Sequence, residues 1–161
     1  MKRAAGVALV LATLVFERQA PAKRALLGEY VRVSRALEQW HLGEARALLA
    51  ALAQSAPDAP ETRFFVAKLA FYEGRYEDAK TGLGALQDTS MRELVDELLP
   101  LVEKTLTATR GFAHKEFPHF VIYYPPGKDE VLVDVAADAL ESTYVTIGND
   151  LGHLPDEKIR V

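Results

Sequence analysis

The spacing of apolar and polar residues changes character along the chain. Ala4 to Phe16 is an uncharged apolar run that Lys2 and Arg3 precede. From about residue 26 to 110, apolar residues recur at i, i+3, i+4 and i+7, the spacing of amphipathic helices. Then the period breaks. His119-Phe120-Val121-Ile122-Tyr123-Tyr124 is β-branched and aromatic and stops at Pro125-Pro126-Gly127, which predicts a strand and a turn. Val133, Ala136, Ala137, Leu140, Tyr144, Ile147 and Leu151 restore helical spacing, predicting a helix over about Asp129–Leu151 that Gly152 ends. Ile159-Arg160-Val161 predicts a second strand.

Within the first helical stretch the chain repeats itself with a period of about 34 residues. Tyr30 falls on Phe64, Val33 on Ala67, Ala36 on Ala70 and Leu37 on Phe71. Leu42 falls on Tyr76, Ala45 on Ala79, Leu49 on Leu83 and Leu52 on Leu86. Each copy reads as two helices. The first spans Leu26–His41, turns at Leu42-Gly43 and returns over Glu44–Gln54. The second spans Pro60–Glu73, turns at Gly74-Arg75 and returns over Tyr76–Leu86. Small residues recur where paired helices approach closely, and Pro57 and Pro60 bracket the link between copies. Ser90-Met91-Arg92-Glu93 has the form of a capping box and opens a third helix, about Met91–Thr109, with Pro100 inside it. That helix is expected to cover the open end of the second hairpin.

The expected fold is mainly α with a small α/β tail: two helical hairpins plus a capping helix, then a strand-helix-strand unit that looks truncated. Two strands are too few for a stable sheet. The expected organisation is 1–25, a signal-like or apolar N-terminal helix; 26–110, the helical repeats; and 111–161, the α/β segment. The run Ala4–Phe16 is too short to span a bilayer as a helix. A basic start before such a run has the form of an export signal, with Ala20-Pro21-Ala22 as a cleavage site; an apolar first helix packed on the repeats is the alternative.

Composition narrows the function. The chain has 161 residues and no Cys, which excludes disulfides, thiolate metal sites and Cys nucleophiles. A formal charge of −4 argues against nucleic acid as a partner. The charge is uneven: residues 1–110 carry 15 basic and 14 acidic groups, residues 111–161 carry 4 and 9.

The hairpin with Gly-Arg-Tyr-Glu-Asp-Ala-Lys (Gly74 to Lys80) at its turn resembles a tetratricopeptide repeat, over about Leu26–Asp88. The first copy has Trp40 where that family often has Gly. The segment Glu116-Phe117-Pro118-His119-Phe120-Val121-Ile122-Tyr123-Tyr124-Pro125-Pro126-Gly127-Lys128-Asp129, the helix after it, Leu151-Gly152 and Lys158-Ile159-Arg160-Val161 resemble the opening of the peptidase MA-like domain. Those are bacterial gluzincin-type zinc metallohydrolases, often placed behind tetratricopeptide repeats in exported proteins. The resemblance implies an exported or membrane-anchored protein on the periplasmic side, with membrane contact only through the N-terminal apolar segment; a cytoplasmic location is the alternative.

The chain itself carries no assembled chemistry. The metallohydrolase motif His-Glu-x-x-His is absent from its sequence. No catalytic and no metal-ligating residue is therefore assigned, and zinc is expected only if the domain continues beyond Val161. His114 and His119 are weighed as a metal pair and read as a loop and a strand-start histidine. His41 reads as a cation at a helix C-terminus and His153 as a turn residue. Gly82-Leu83-Gly84 lies in a helix and is no phosphate loop. Ser34, Ser55, Ser90 and Ser142 lack the surroundings of a nucleophile. Asp134, Asp138 and Glu141 read as a solvated face. The repeat resemblance places Tyr30, Ser34, Leu37 and Glu38, then Phe64, Lys68, Phe71 and Tyr72, on a concave peptide groove. Aromatic residues there would give affinity and Lys68 would catch a carboxylate. The alternative is that these aromatics pack on the third helix or on the C-terminal strand-helix-strand unit. The expected partner is a protein or peptide, including the chain's own downstream domain.

Overall fold

The computed structural model describes residues 25–152, 154–155 and 157–161. The signal-like reading of the N-terminal segment falls outside them except at Ala25, as does the turn assigned to His153. The protein is mainly α with a small α/β tail. Its contacts divide into two units at Leu99 and Pro100. That division falls within the helix Arg92–Ala108, before the expected start of the α/β segment at Gly111.

In the first unit, α1 (25–38), α2 (Leu42–Ser55), α3 (Pro60–Tyr72) and α4 (Tyr76–Gly84) form two successive hairpins. Tyr30, Val33, Ala36 and Leu37 of α1 pack with Ala45, Leu49 and Leu52 of α2 and Leu69 of α3 in one core. The two hairpins turn in the same way, one repeat apart. His41 N–H donates to Ala36 O at 2.8 Å and Trp40 N–H to Leu37 O at 3.2 Å. Arg75 N–H donates to Ala70 O at 2.8 Å and Gly74 N–H to Phe71 O at 3.0 Å. This paired closure satisfies the last carbonyls of a helix and needs a left-handed residue after it. Trp40 (φ 58°) and Gly74 (φ 75°) are those residues. The N-caps that follow also match: His41 has φ −81°, ψ 65° and Arg75 has φ −86°, ψ 65°.

Two boundaries differ from expectation. Leu42-Gly43 is the first turn of α2 rather than the link, because the left-handed residue is Trp40. His41 therefore caps the start of α2 instead of ending α1, and its Nδ1 lies 3.8 Å from Glu44.

The approach of α3 and α4 is very close at Gly82, where an added Cβ would come within 2.9 Å of Ala67 Cβ. Ala79 and Leu83 of α4 are fully buried beside this contact. A 3-10 turn, Thr89–Met91, packs on α3 and leads into α5 (Arg92–Ala108). The cap there is Asp88, whose carboxylate accepts Ser90 N–H at 2.8 Å; Ser90 donates its hydroxyl to the same oxygen, so it is not the capping residue. Pro100 lies inside α5. Val95 and Val102 are the buried part of the helix's apolar stripe, while Leu94 and Leu101 are exposed.

In the second unit the sheet has three strands in the order β1 (Ala113–Glu116), β2 (Phe120–Tyr124), β3 (Ile159–Arg160). β1 was not expected. It pairs antiparallel with β2, Ala113 opposite Tyr124, and β3 pairs parallel with β2, Phe120 beside Ile159. A short 3-10 turn, Lys128–Glu130, precedes α6 (Val131–Leu151), which ends at left-handed Gly152. Phe120 and Ile122 pack on Val133 and Ala137 of α6, with Phe117, Tyr124, Leu140, Tyr144 and Ile159 around them.

Candidate interaction site

The eight groove positions divide by burial. Tyr30, Leu37 and Phe64 are in the core and have no surface to offer a peptide. Tyr30 of α1 reaches across to α3, where it shares a 2.8 Å hydrogen bond with Thr62 Oγ1 and stacks on Phe65, while Phe64 meets Phe65 of its own helix edge to face. Buried hydroxyls require such partners, and both are satisfied. Tyr30 and Leu37 pack within the hairpins, among Ala45, Leu49, Leu52 and Leu69, and not on α5 or the α/β segment. On α1, Ser34 donates its hydroxyl to Glu38 at 2.9 Å, so the exposed pair is tied to itself.

Lys68, Phe71 and Tyr72 of α3 are half-buried. The structure brings them together with Trp40. Trp40 and Tyr72 have ring centroids 5.1 Å apart, Tyr72 and Phe71 5.9 Å, and Phe71 and Tyr76 5.7 Å. Lys68 Nζ lies 5.9 Å from the Tyr72 ring. Sequence reasoning left Trp40 out of the groove. The signal was present: Trp40 sits one repeat before Gly74, at a position where a large side chain is costly.

Beneath this end of the hairpins lies a charged clamp. Glu73 is buried and accepts from Arg46 Nε at 2.8 Å and Arg75 Nε at 3.0 Å; Arg75 Nη1 also donates to Asp78 at 2.8 Å. Burial raises the Glu73 carboxyl pKa, but the hydrogen bonds and charges of Arg75 and Arg46 outweigh it and hold it below the usual carboxylate range. A cavity of about 290 Å³ opens nearby, lined by Ala53, Thr62, Arg63, Val66, Asp78 and Gly82 among others.

In the second unit, His119 and Glu141 are joined by two hydrogen bonds. His119 Nδ1 meets Glu141 Oε2 at 2.6 Å, and His119 N–H donates to Glu141 Oε1 at 2.8 Å. The imidazole stacks on Tyr144 at 3.9 Å, and Tyr144 donates its hydroxyl to Pro155 O at 2.8 Å. Glu141 is thus a clamp on the start of β2, not part of a free solvated face. Desolvation opposes its ionisation, but the bonds from His119 hold its pKa low. Asp134 is likewise engaged, by Lys115. His114 instead lies 5.6 Å from the Tyr123 ring. The two histidines have different partners, and no group of three His, Asp or Glu among the described residues could hold a metal. Ser55 and Ser142 spend their hydroxyls on the helix carbonyls of Ala51 and Ala139. Among the described residues no helix is long and apolar enough to cross a membrane.

Comparisons with family models, with curated proteins and with solved structures gave no match.

Proposed function

We propose that this chain is the non-catalytic N-terminal part of an exported, repeat-bearing, metallopeptidase-like protein, in which it acts as scaffold and protein-interaction module. The observation that carries the reading is the equivalence of the two hairpin turns, one repeat apart. The same backbone hydrogen bonds, the same left-handed position and nearly the same N-cap angles recur at Trp40-His41 and Gly74-Arg75. Repetition of that kind is how tetratricopeptide hairpins build a stack, each burying its apolar face on its neighbour. The β2–α6–β3 unit, with β3 parallel to β2, supports the peptidase MA-like half of the reading. Export rests on Lys2, Arg3 and the apolar run that follows. The second reading is a free-standing peptide-binding tetratricopeptide protein, which the half-exposed Lys68, Phe71 and Tyr72 favour.

The coding sequence beyond Val161 separates the two. A His-Glu-x-x-His helix there supports the first, and an immediate stop codon supports the second. The 161-residue chain by itself should bind no stoichiometric zinc and cleave no peptide. One zinc per chain, lost on replacing both His114 and His119, would overturn that assignment.

A further inference from the structure

Trp40 is the chain's single tryptophan, and among the described residues it is the one non-glycine with a positive φ. Glycine occupies the matching position in the second hairpin without strain. A residue with a Cβ adopts the left-handed conformation only against a steric clash with the following carbonyl. Burial would offset this, yet Trp40 is 66% exposed. Its ring partner is Tyr72, 5.1 Å away, and the Lys68 ammonium lies 5.9 Å from that same Tyr72 ring. Lys68 has no carboxylate within ion-pair distance among the described residues. The turn therefore holds a strained, exposed indole at the head of a row of aromatic rings, near a cation that has no carboxylate partner among the described residues. Backbone strain that burial does not offset is a mark of function rather than of stability.

We propose that Trp40, Tyr72 and Lys68 form a binding site for a peptide segment carrying an aromatic side chain next to an acidic one. The ligand ring stacks on the exposed indole in the offset or edge-on manner aromatic pairs prefer. The adjacent carboxylate reaches Lys68 in a charge-assisted hydrogen bond. The ammonium selects against neutral ligands that also stack on indoles. The site rests on the interaction-module reading above but not on any catalytic domain following it.

The test uses the full chain and a fluorescein-labelled, acetylated and amidated peptide, Gly-Asp-Phe-Glu-Gly. Gly-Asp-Ala-Glu-Gly and Gly-Asn-Phe-Gln-Gly serve as controls. Fluorescence anisotropy should show the first peptide binding at least tenfold tighter than either control. Trp40→Gly should raise the melting temperature and weaken binding at least tenfold. Lys68→Met should erase the preference for the acidic peptide and leave the melting temperature in place. A lower melting temperature for Trp40→Gly would overturn the proposal by making the indole structural. Undiminished binding by Trp40→Gly would also overturn it, while leaving the interaction-module reading intact. No binding of any of the three peptides by the wild-type chain would overturn this site, and the interaction-module reading, which names no ligand, would stand. A dimer in sedimentation that Trp40→Gly converts to monomer would assign the indole to a second copy and likewise overturn the site.

Discussion

Gly82→Ala offers a direct measure of how tightly α3 and α4 are joined. A methyl at this position would lie 2.9 Å from Ala67 Cβ and 3.7 Å from Ala67 Cα. Both carbons are fixed to helix backbones, so no rotamer relieves the contact and the helices must separate. Overpacking of this kind costs about 1–3 kcal/mol. Alanine regains about 0.8–1 kcal/mol over glycine in a helix interior. Gly82→Ala should therefore destabilise by up to about 2 kcal/mol. Gly84→Ala, at the end of the same helix with nothing within 4 Å, should be neutral to stabilising. Urea unfolding followed by far-ultraviolet circular dichroism compares the two. With a slope of about 1–3 kcal/mol per molar, a gap of about 2 kcal/mol moves the midpoint by roughly 1 M. A Gly82→Ala midpoint equal to or above that of Gly84→Ala would refute the close packing of α3 on α4.

Other outcomes follow from the polar contacts. Since folding lowers the pKa of Glu73, its contribution is present above the unfolded carboxylate value of about 4.3 and is lost as pH falls below it through the folded value. Glu73→Gln should cost about 1–2 kcal/mol at neutral pH, the half-exposed arginines limiting the loss, and should flatten the acid limb of a stability–pH curve. Tyr30→Phe strands the buried Thr62 hydroxyl and should cost about 1–2 kcal/mol; in a double-mutant cycle, adding Thr62→Val should return part of it. Glu141→Gln should quicken amide exchange at His119 and Ile159, measured by NMR, while exchange in α3 stays unchanged.

The hairpins were legible because packing wrote them twice: the small residues at Ala36, Ala45, Ala70 and Ala79 are all buried, as the repeat offset requires. β1 was not legible. Ala-His-Lys-Glu offers one apolar residue and no alternation, since an edge strand is held by backbone bonds and keeps charges outward. The groove was carried over by position alone, and position does not decide burial: Phe64 is buried, and Tyr30 and Leu37 turned inward where α2 and α3 supplied partners. Glu141 was hidden for another reason. Its partner His119 lies 22 residues away in sequence, and helical spacing alone makes Asp134, Asp138 and Glu141 look alike. Trp40 stood out only when set against Gly74.

The mixed sheet has a consequence for the order of folding. β1 and β2 are joined by a short link, so their ladder closes as a local event on the microsecond scale of hairpins. β3 reaches the other side of β2 only after the whole of α6 has been laid down between them. That closure costs more chain entropy and gives back a ladder of two residues. The entropy cost therefore favours Phe120 and Ile122 finding Val133 and Ala137 before β3 docks on β2. If helix-on-strand docking comes first, variants at Ala137 should slow refolding more than variants at Arg160, which stopped-flow refolding would show.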